Sequence, residues 1–328
     1  MPGTLITGGT GSFGQACVKT LLETTNIERI AVYSRDEYKH AQMDASLASH
    51  PDRYLDPLSR EGTSMPDRLR FFVGDTRDQQ RLTLAMRGID TVIHAAALKR
   101  VDLLEYNPSE AVETNVVGSM NVIWAAIAND VNQVMALSTD KACSPVNLYG
   151  ATKLCMEKLM VAANAYQGPK FSCVRYGNVA WSRGSVIPLY LDKRAKDEPL
   201  PITDVNMTRY WMTLPQAVDF VLSSMDMMEG GEVFIPHLPS VKVTTIAEAV
   251  GGQREVVGIR PGEKIHETMV STEEKGRCRE LVDRYVLTDG DLGKPLSETF
   301  PSWSYCSNAN GEWLNADDVR FFLDTHDA

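Results

Sequence analysis

The first apolar run of this chain is closed by glycine almost as soon as it begins. Leu5-Ile6-Thr7 leads into Gly8-Gly9-Thr10-Gly11-Ser12-Phe13-Gly14, and a helical pattern covers Ser12 to Glu23. Gly8, Gly11 and Gly14 are spaced three apart. Glycine lets a backbone turn sharply and approach a pyrophosphate, which then sits at the positive end of the helix that follows. A glycine string alone is weak evidence, but between a strand and a helix it predicts a dinucleotide-binding loop. The residues expected along it are Gly8, Thr10, Gly11, Ser12, Phe13 and Gly14.

The same alternation repeats down the chain. Arg29 to Ser34, Arg70 to Val73, Thr91 to Ala95, Val134 to Ser138 and Phe171 to Tyr176 read as strands, and Asp78 to Met86 and Ala111 to Asn129 as helices. Strands separated by helical stretches predict an α/β fold with a doubly wound, Rossmann-type parallel sheet covered on both faces. Near Ser182 the composition shifts towards Pro, Met and charge. This divides the chain into a dinucleotide-binding domain over 1–181, which carries the chemistry, and a smaller, mainly substrate-binding lobe over 182–328, with interleaving of the two as the alternative. Glu273 to Arg279 reads as a solvated charged segment, and Trp303, Tyr305 and Trp313 as packing residues.

Bulk properties narrow the function. With 328 residues, 43% of them hydrophobic, the chain can bury a sizeable core. A formal charge of −10 argues against general binding to nucleic acid or anionic membranes, although a pocket can still be basic. Cys17, Cys143, Cys155, Cys173, Cys278 and Cys306 have no paired metal-ligand spacing, so no metal is expected; free thiols in a reducing compartment are. The N-terminus enters a strand at once, with no signal peptide, and no apolar run reaches 18 residues. A soluble, cytoplasmic protein is expected.

The end of the second strand bears on cofactor choice. A carboxylate just past it would accept bonds from both ribose hydroxyls of NAD. Here Ser34 and Arg35 come first, and an arginine pairs with a phosphate, which favours NADP over NAD. The plainer alternative is that Arg35 pairs with Asp36 or Glu37. Asp75, past the third strand, is placed to accept from the adenine amino group. Ala95 and Ala96, past the fourth, let the backbone lie against a cofactor; His94 there reads as a structural hydrogen-bonding residue.

After the fifth strand come two pieces of chemistry, Ser138-Thr139-Asp140-Lys141 and Tyr149-Gly150-Ala151-Thr152-Lys153. Tyr149 and Lys153, four apart, share one helix face. An ammonium near a phenol favours the phenolate, so Tyr149 can take a hydroxyl proton. Asp140 and Lys141 add an acid and a second amine that hydride transfer alone does not need, which points to oxidation coupled to loss of water. Thr139-Asp140 taken alone also reads as a helix cap.

These strings together resemble the extended short-chain dehydrogenase/reductase family, and within it the inverting UDP-N-acetylglucosamine 4,6-dehydratases of pseudaminic acid biosynthesis. The matching strings are ITGGTGSFG, YSRDE, HAAALK, STDKA, NLYGATKL, RYGNV, SRGSVIP, ITDVNMTRYW and IRPGEKIHE, from residue 6 to about 267. Trp181 departs from the glycine common at its place. The resemblance implies that Tyr149, helped by Lys153, deprotonates the carbon 4 hydroxyl while Thr139 hydrogen-bonds that oxygen. It implies that Lys141, its amine neutral through burial beside other cations, removes the carbon 5 proton, and that Asp140 protonates the leaving carbon 6 hydroxyl. The second proton at carbon 5 is left open between Tyr149 and Lys141. Retaining relatives carry Glu where Lys141 stands. Arg209, Arg260, Glu263 and Asn178 match substrate positions; Lys99 and Arg183 are further candidates, with surface ion pairs as the plainer reading of the cations. A UDP-sugar substrate and a homo-oligomer are the implied partners. A retaining dehydratase or a 4-epimerase on the same fold is the nearest rival; an epimerase needs no acid at carbon 6. A dinucleotide-sensing protein without turnover is the rival of another class.

Overall fold

A computed structural model describes residues 3–53, 67–182, 184–290, 295–296 and 303–326. The expected alternation is present. Strand β1 (Gly3–Thr7) leads through α1 (Ser12–Thr24) to β2 (Arg29–Ser34), and α2 (Glu37–Ser46) precedes β3 (Leu69–Val73). Helix α3 (Gln79–Ala85) leads to β4 (Thr91–His94). Short helices α4 (Val101–Leu104) and α5 (Pro108–Val112), then α6 (Gly118–Ile127), lead to β5 (Gln133–Leu137), and α7 (Leu148–Ala163) to β6 (Lys170–Val174).

These strands pair in the order β3-β2-β1-β4-β5-β6, all parallel. The order reverses between β1 and β4, and ligands bind at the carboxyl ends of strands beside such a switch point. Right-handed crossovers running outward in two directions put helices on both faces; α1 packs against α9 (Leu214–Met227), and α6 against α3 and α7. Leu5, Ile6, Val92, Ile93, Val134 and Met135 are fully buried, each worth roughly 1.5–3 kcal/mol of transfer free energy.

The chain after Ser182 builds on both regions. Strands β7 (Asn178–Val179), β9 (Thr208–Met212) and β11 (Ser240–Lys242) form a small sheet, and β8 (Leu200–Ile202) pairs with β12 (Arg254–Val256). With α8 (Val186–Ala195), α10 (Val243–Val250) and α11 (Ala316–His326) they enclose a second core around Ile187, Tyr190, Leu200, Trp211, Val241 and Val319. Strand β10 (Val233–Pro236) instead returns to the large sheet, parallel to β6, and β15 (Arg284–Leu287) and β14 (Cys278–Glu280) extend that sheet antiparallel to nine strands. Strand β13 (Thr268–Val270) pairs with β16 (Tyr305–Cys306).

Two sequence readings change. The single helix expected over Ala111 to Asn129 is interrupted by a π turn at Glu113–Val117. Buried Asn115 makes this turn useful: Oδ1 accepts from Leu98 N (2.8 Å), and Nδ2 donates to Leu98 O (2.9 Å) and Thr152 Oγ1 (3.1 Å). The loop after β4 is thereby tied to the helix carrying Lys153. Glu273 to Arg279 is not simply solvated, because Glu274 pairs with the fully buried Arg175 and Cys278 is buried in β14. Trp303 and Tyr305 pack with Tyr285, and all six cysteines are free thiols. No described helix is long and apolar enough to cross a membrane.

Candidate active site

The catalytic strings meet at the carboxyl end of β5. Thr139 caps a 3-10 turn, Asp140–Ala142, and Thr139 Oγ1 donates to Asp140 Oδ1 at 2.9 Å. Four residues beyond Cys143, Asn147 caps α7 by accepting from Gly150 N (2.7 Å) and donates from Nδ2 to Gly262 O (2.7 Å). This cap fixes Tyr149 in the first turn of α7, with Lys153 one turn further on and buried. The Tyr149 phenol lies near enough to feel the charges of Lys141 and Asp140 and the hydroxyl of Thr139. Thr139, Asp140, Lys141 and Tyr149 therefore form one cluster, and the charges acting on the phenol come from within it.

Its electrostatics differ from the sequence expectation in one respect. Lys141 does not lie among cations. Nζ is 3.1 Å from Asp140 Oδ1 and 3.1 Å from Glu267 Oε1. Burial works against its charge, but the two carboxylates outweigh burial and hold the amine as an ammonium well above its ordinary range. Burial pushes the Tyr149 phenol up to about 12, opposed first by the positive charge of Lys141. Lys153 is pushed down to about 8, chiefly by burial, and donates to Met156 Sδ at 3.0 Å. His94 is buried with Nδ1 2.7 Å from Thr7 Oγ1 and Nε2 3.0 Å from Ser119 Oγ; burial and then Lys153 take it down to about 3, so it is a neutral bridge between elements.

The loop between β1 and α1 suits the phosphates of a dinucleotide. Helix α1 has Gly11 at its N-cap, no side-chain cap and no acid in its first turn, which leaves its positive end suited to phosphate. Gly8 has φ +67°, and a Cβ there would lie 2.9 Å from Ala96 Cα; one at Gly14 would lie 2.4 Å from Gly9 Cα. Bulk at either place would close the loop. Thr10 Oγ1 and Ser34 Oγ are 2.8 Å apart, joining the loop to the end of β2, while Ser12 and Phe13 open α1 and Ala95 and Ala96 follow β4. Arg35, half exposed, is 3.5 Å from Asp75 Oδ2, and Arg77 holds the same carboxylate at 2.8 Å. Arg35 thus pairs with neither Asp36 nor Glu37 among the described contacts.

The substrate candidates are placed less uniformly. Asn178 lies in β7, opposite Trp211 of β9, with its side chain exposed. The Arg209 guanidinium donates to the carbonyls of Thr208 (2.7 Å), Ile265 (3.0 Å) and Lys264 (3.0 Å), and Nε is 3.9 Å from Glu267. Arg260 is exposed; its backbone N donates to Glu263 Oε2 at 3.3 Å. Lys99 is exposed beyond β4. Arg183 lies outside the described residues. Trp181, whose place is commonly glycine in the similar family, has φ +63°; glycine reaches that conformation without strain, whereas a side chain costs about 1–2 kcal/mol.

Sequence reasoning passed over two groups. Glu267, the last letter of the IRPGEKIHE string, is buried against Lys141. Arg175, in RYGNV, is fully buried: Nε donates to Glu157 Oε1 (2.9 Å), Nη2 to Glu157 Oε2 (2.6 Å) and Glu274 Oε1 (2.9 Å), and Nη1 to Met269 O (2.8 Å). Glu157 also accepts from Ser138 Oγ at 2.5 Å, so this network supports the turn that holds Asp140. Glu267 stands in a charged string that suggests a surface and Arg175 at the end of an apolar strand, and only long-range pairing shows what each charge serves.

Known proteins agree with this architecture. Residues 4–289 match the family described as polysaccharide biosynthesis protein. Two Campylobacter jejuni proteins named UDP-N-acetylglucosamine 4,6-dehydratase (inverting) are 44% and 45% identical, each alignment covering 95% of this chain and 94% of the relative. A Rickettsia felis protein named UDP-glucose 4-epimerase is 41% identical over 86% of this chain and 81% of its own. The crystal structure of Pen from Bacillus thuringiensis superposes with a TM-score of 0.86 at 33% identity, covering 99% of this chain and 98% of the other. DesIV, a dTDP-glucose 4,6-dehydratase from Streptomyces venezuelae with NAD and TYD bound, has a TM-score of 0.69 at 22% identity over 80% of this chain and 86% of its own, and shares the fold. The resemblance to inverting dehydratases read from the motifs is borne out, and the chain belongs to the polysaccharide biosynthesis protein family.

Proposed function

We propose that the protein is an NADP-dependent, inverting UDP-N-acetylglucosamine 4,6-dehydratase. The observation that carries the reading is the meeting of Asp140, Lys141 and Tyr149 in one cluster at the carboxyl end of β5. A bound nicotinamide would supply the hydride acceptor needed at carbon 4 and the hydride donor needed at carbon 6. The protein's own residues do the rest. Tyr149 takes the carbon 4 hydroxyl proton and Thr139 hydrogen-bonds that oxygen, with Lys153 one helical turn further along α7. A ketone at carbon 4 acidifies the carbon 5 proton, which Lys141 removes, and Asp140 protonates the departing carbon 6 hydroxyl. The ammonium of the resting protein must first lose a proton, and Asp140, 3.1 Å away, can take it. That one transfer gives Lys141 its lone pair and Asp140 its acid proton.

Gly8, Thr10, Gly11, Ser12, Phe13, Gly14, Ala95, Ala96 and Lys153 are proposed to hold the cofactor. Ser34 and Arg35 favour NADP, because the single 3.5 Å contact of Arg35 leaves it free to turn to a 2′-phosphate. Asn178, Arg209, Arg260, Glu263, Lys99 and Arg183 are proposed for the nucleotide sugar; Arg209 would have to exchange carbonyl partners for phosphate. On this reading residues 1–181 bind cofactor and carry the chemistry, while 182–328 mainly bind substrate. Exposed Val112, Met120, Trp124 and Tyr166, the last two rings 5.2 Å apart, support a homo-oligomer packed through this face. Free buried thiols support a cytoplasmic setting, and the product would feed pseudaminic-type or surface-glycan synthesis.

The epimerase-named relatives make 4-epimerisation the second reading. A proton NMR time course with UDP-N-acetylglucosamine and no added reductant separates the two. Dehydration predicts a new carbon 6 methyl signal and a 4-keto product inverted at carbon 5, with no net cofactor consumed. A UDP-N-acetylgalactosamine product with carbon 6 unchanged would overturn the dehydratase reading. So would reduced cofactor accumulating one-to-one with product.

A further inference from the structure

Glu267 is held more firmly than a chance neighbour of Lys141 would be. Its backbone N donates to Ser307 Oγ (3.0 Å), and its carbonyl accepts from Ser307 N (2.8 Å). The residue is 1% exposed, with Oε1 3.1 Å from Lys141 Nζ and Oε2 buried without a hydrogen-bond partner among the described residues. Asp140 Oδ2 is in the same condition. One partly buried ammonium needs one carboxylate for balance; here it has two, each with an oxygen left open, and among the described residues the other charge acting on it is that of Arg209. A buried carboxylate oxygen without a donor is costly, so an arrangement serving stability alone would not keep two.

We propose that Glu267 is a positioning residue for the carbon 5 chemistry, holding the Lys141 amine in place and stabilising the ammonium that forms when Nζ takes the carbon 5 proton. The proposal rests on the dehydratase reading above. In the resting protein the proton lies on Lys141, and both carboxylates are anionic. Transfer of that proton to Asp140 leaves a neutral amine, a carboxylic acid and the Glu267 anion. The carbon 5 C–H bond then breaks, its electron pair enters the enolate, and an N–H bond forms on Lys141. Asp140 gives its proton to the carbon 6 oxygen as the C–O bond breaks and water leaves. Lys141 ends as an ammonium and Asp140 as a carboxylate, as they began. Glu267 keeps its charge throughout, so it favours the protonated amine at the step where a base is needed.

The test uses cofactor-free and complete enzyme side by side. In cofactor-free protein, acylation of the Lys141 amine by acetic anhydride is followed by mass spectrometry from pH 6 to 11. The groups facing that amine are Asp140, Glu267, Arg209 and the Tyr149 phenol. Removing one negative charge in Glu267→Gln favours the neutral amine, so Lys141 labels about tenfold faster than in wild type at a given pH. In complete enzyme, exchange of the carbon 5 proton of UDP-N-acetylglucosamine with deuterated water falls ~10²-fold in Glu267→Gln, and Glu267→Asp restores part of it. If the Gln variant does not fold, Glu267→Asp alone is read: a labelling profile close to wild type with slower exchange supports the proposal. An unchanged labelling rate in folded Glu267→Gln overturns it, as does wild-type exchange in that variant. A raised labelling rate in an enzyme whose wild type exchanges no carbon 5 proton overturns the dehydratase reading instead, and the carbon 5 role with it.

Discussion

A Cβ placed on Gly150 would lie 2.0 Å from the carbonyl oxygen of Lys141. The first turn of α7 is therefore pressed against the turn that carries Asp140 and Lys141, and the absence of one side chain lets the two catalytic strings share a site. Gly150 N also donates to the Asn147 cap, so the helix cannot slide away without losing its start.

Gly150→Ala is accordingly expected to destabilise the fold despite the better helix propensity of alanine. Overpacking costs about 1–3 kcal/mol, against a propensity gain of under about 1 kcal/mol. Urea denaturation gives the stability change. Activity should fall further than stability, because any relief separates Tyr149 from Asp140. A variant as stable and as active as wild type would contradict the close packing.

Arg35→Asp should move cofactor preference from NADP towards NAD. The substitution removes a phosphate partner and puts negative charge where a 2′-phosphate would sit, beside Asp75. Titration of the cofactor-free protein with each dinucleotide measures the ratio of affinities, expected to change by about tenfold or more, the worth of one charge-assisted hydrogen bond. An unchanged ratio would mean that Arg35 serves only Asp75.

The sheet was legible because its information is local. Six apolar runs, a glycine loop and the periodicity between them survive any arrangement of the rest, and β1 to β6 lie where those runs are. Tyr149 and Lys153 were legible for the same reason, since four residues on one helix fix their relation. The charge state of Lys141 was not. It depends on Glu267, 126 positions later, delivered by a loop pinned to Ser307. Arg175 and Glu274 were hidden in the same way, 99 residues apart and joined only by the fold. The π turn at Asn115 was missed because its cause is a tertiary contact with Leu98 and Thr152, while the local pattern is helical throughout.

The Arg175 network gives stability a pH dependence. Burial opposes the charge of Glu274, but its hydrogen bonds and ion pair with Arg175 win, so its carboxyl titrates below the ordinary value of 4.5. A depressed carboxyl contributes stability above its unfolded value and loses it as pH falls through the folded one. Glu274→Gln should therefore cost about 1–3 kcal/mol at neutral pH, and the gap to wild type should narrow below pH ~4.5. Melting temperatures of both proteins between pH 3 and 7 give the comparison. A gap that stays constant down to pH 3 would remove Glu274 from the acid response.

Lys141→Met is expected to act at two places. The amine that takes the carbon 5 proton is gone, so exchange of that proton with deuterated water and dehydration should both fall by ~10²-fold or more. The second effect reaches Tyr149. Burial already holds the phenol at about 12, and Lys141 contributes the largest opposing charge. Without it the phenol moves higher still, and proton removal at the carbon 4 hydroxyl shifts towards alkaline pH. Lys153 does not replace the lost charge, because its own ammonium is weakened by burial and turned to Met156. The fold should also weaken as pH rises, since Asp140 and Glu267 are left as buried carboxylates without their shared cation. Ultraviolet titration of the tyrosines, compared with Tyr149→Phe in the same background, gives the phenol shift, and NMR gives the exchange. Exchange at the wild-type rate would move the carbon 5 base to another residue, with Tyr149 the first to test. Lost exchange with an unmoved phenol would keep Lys141 as the base but separate it from Tyr149.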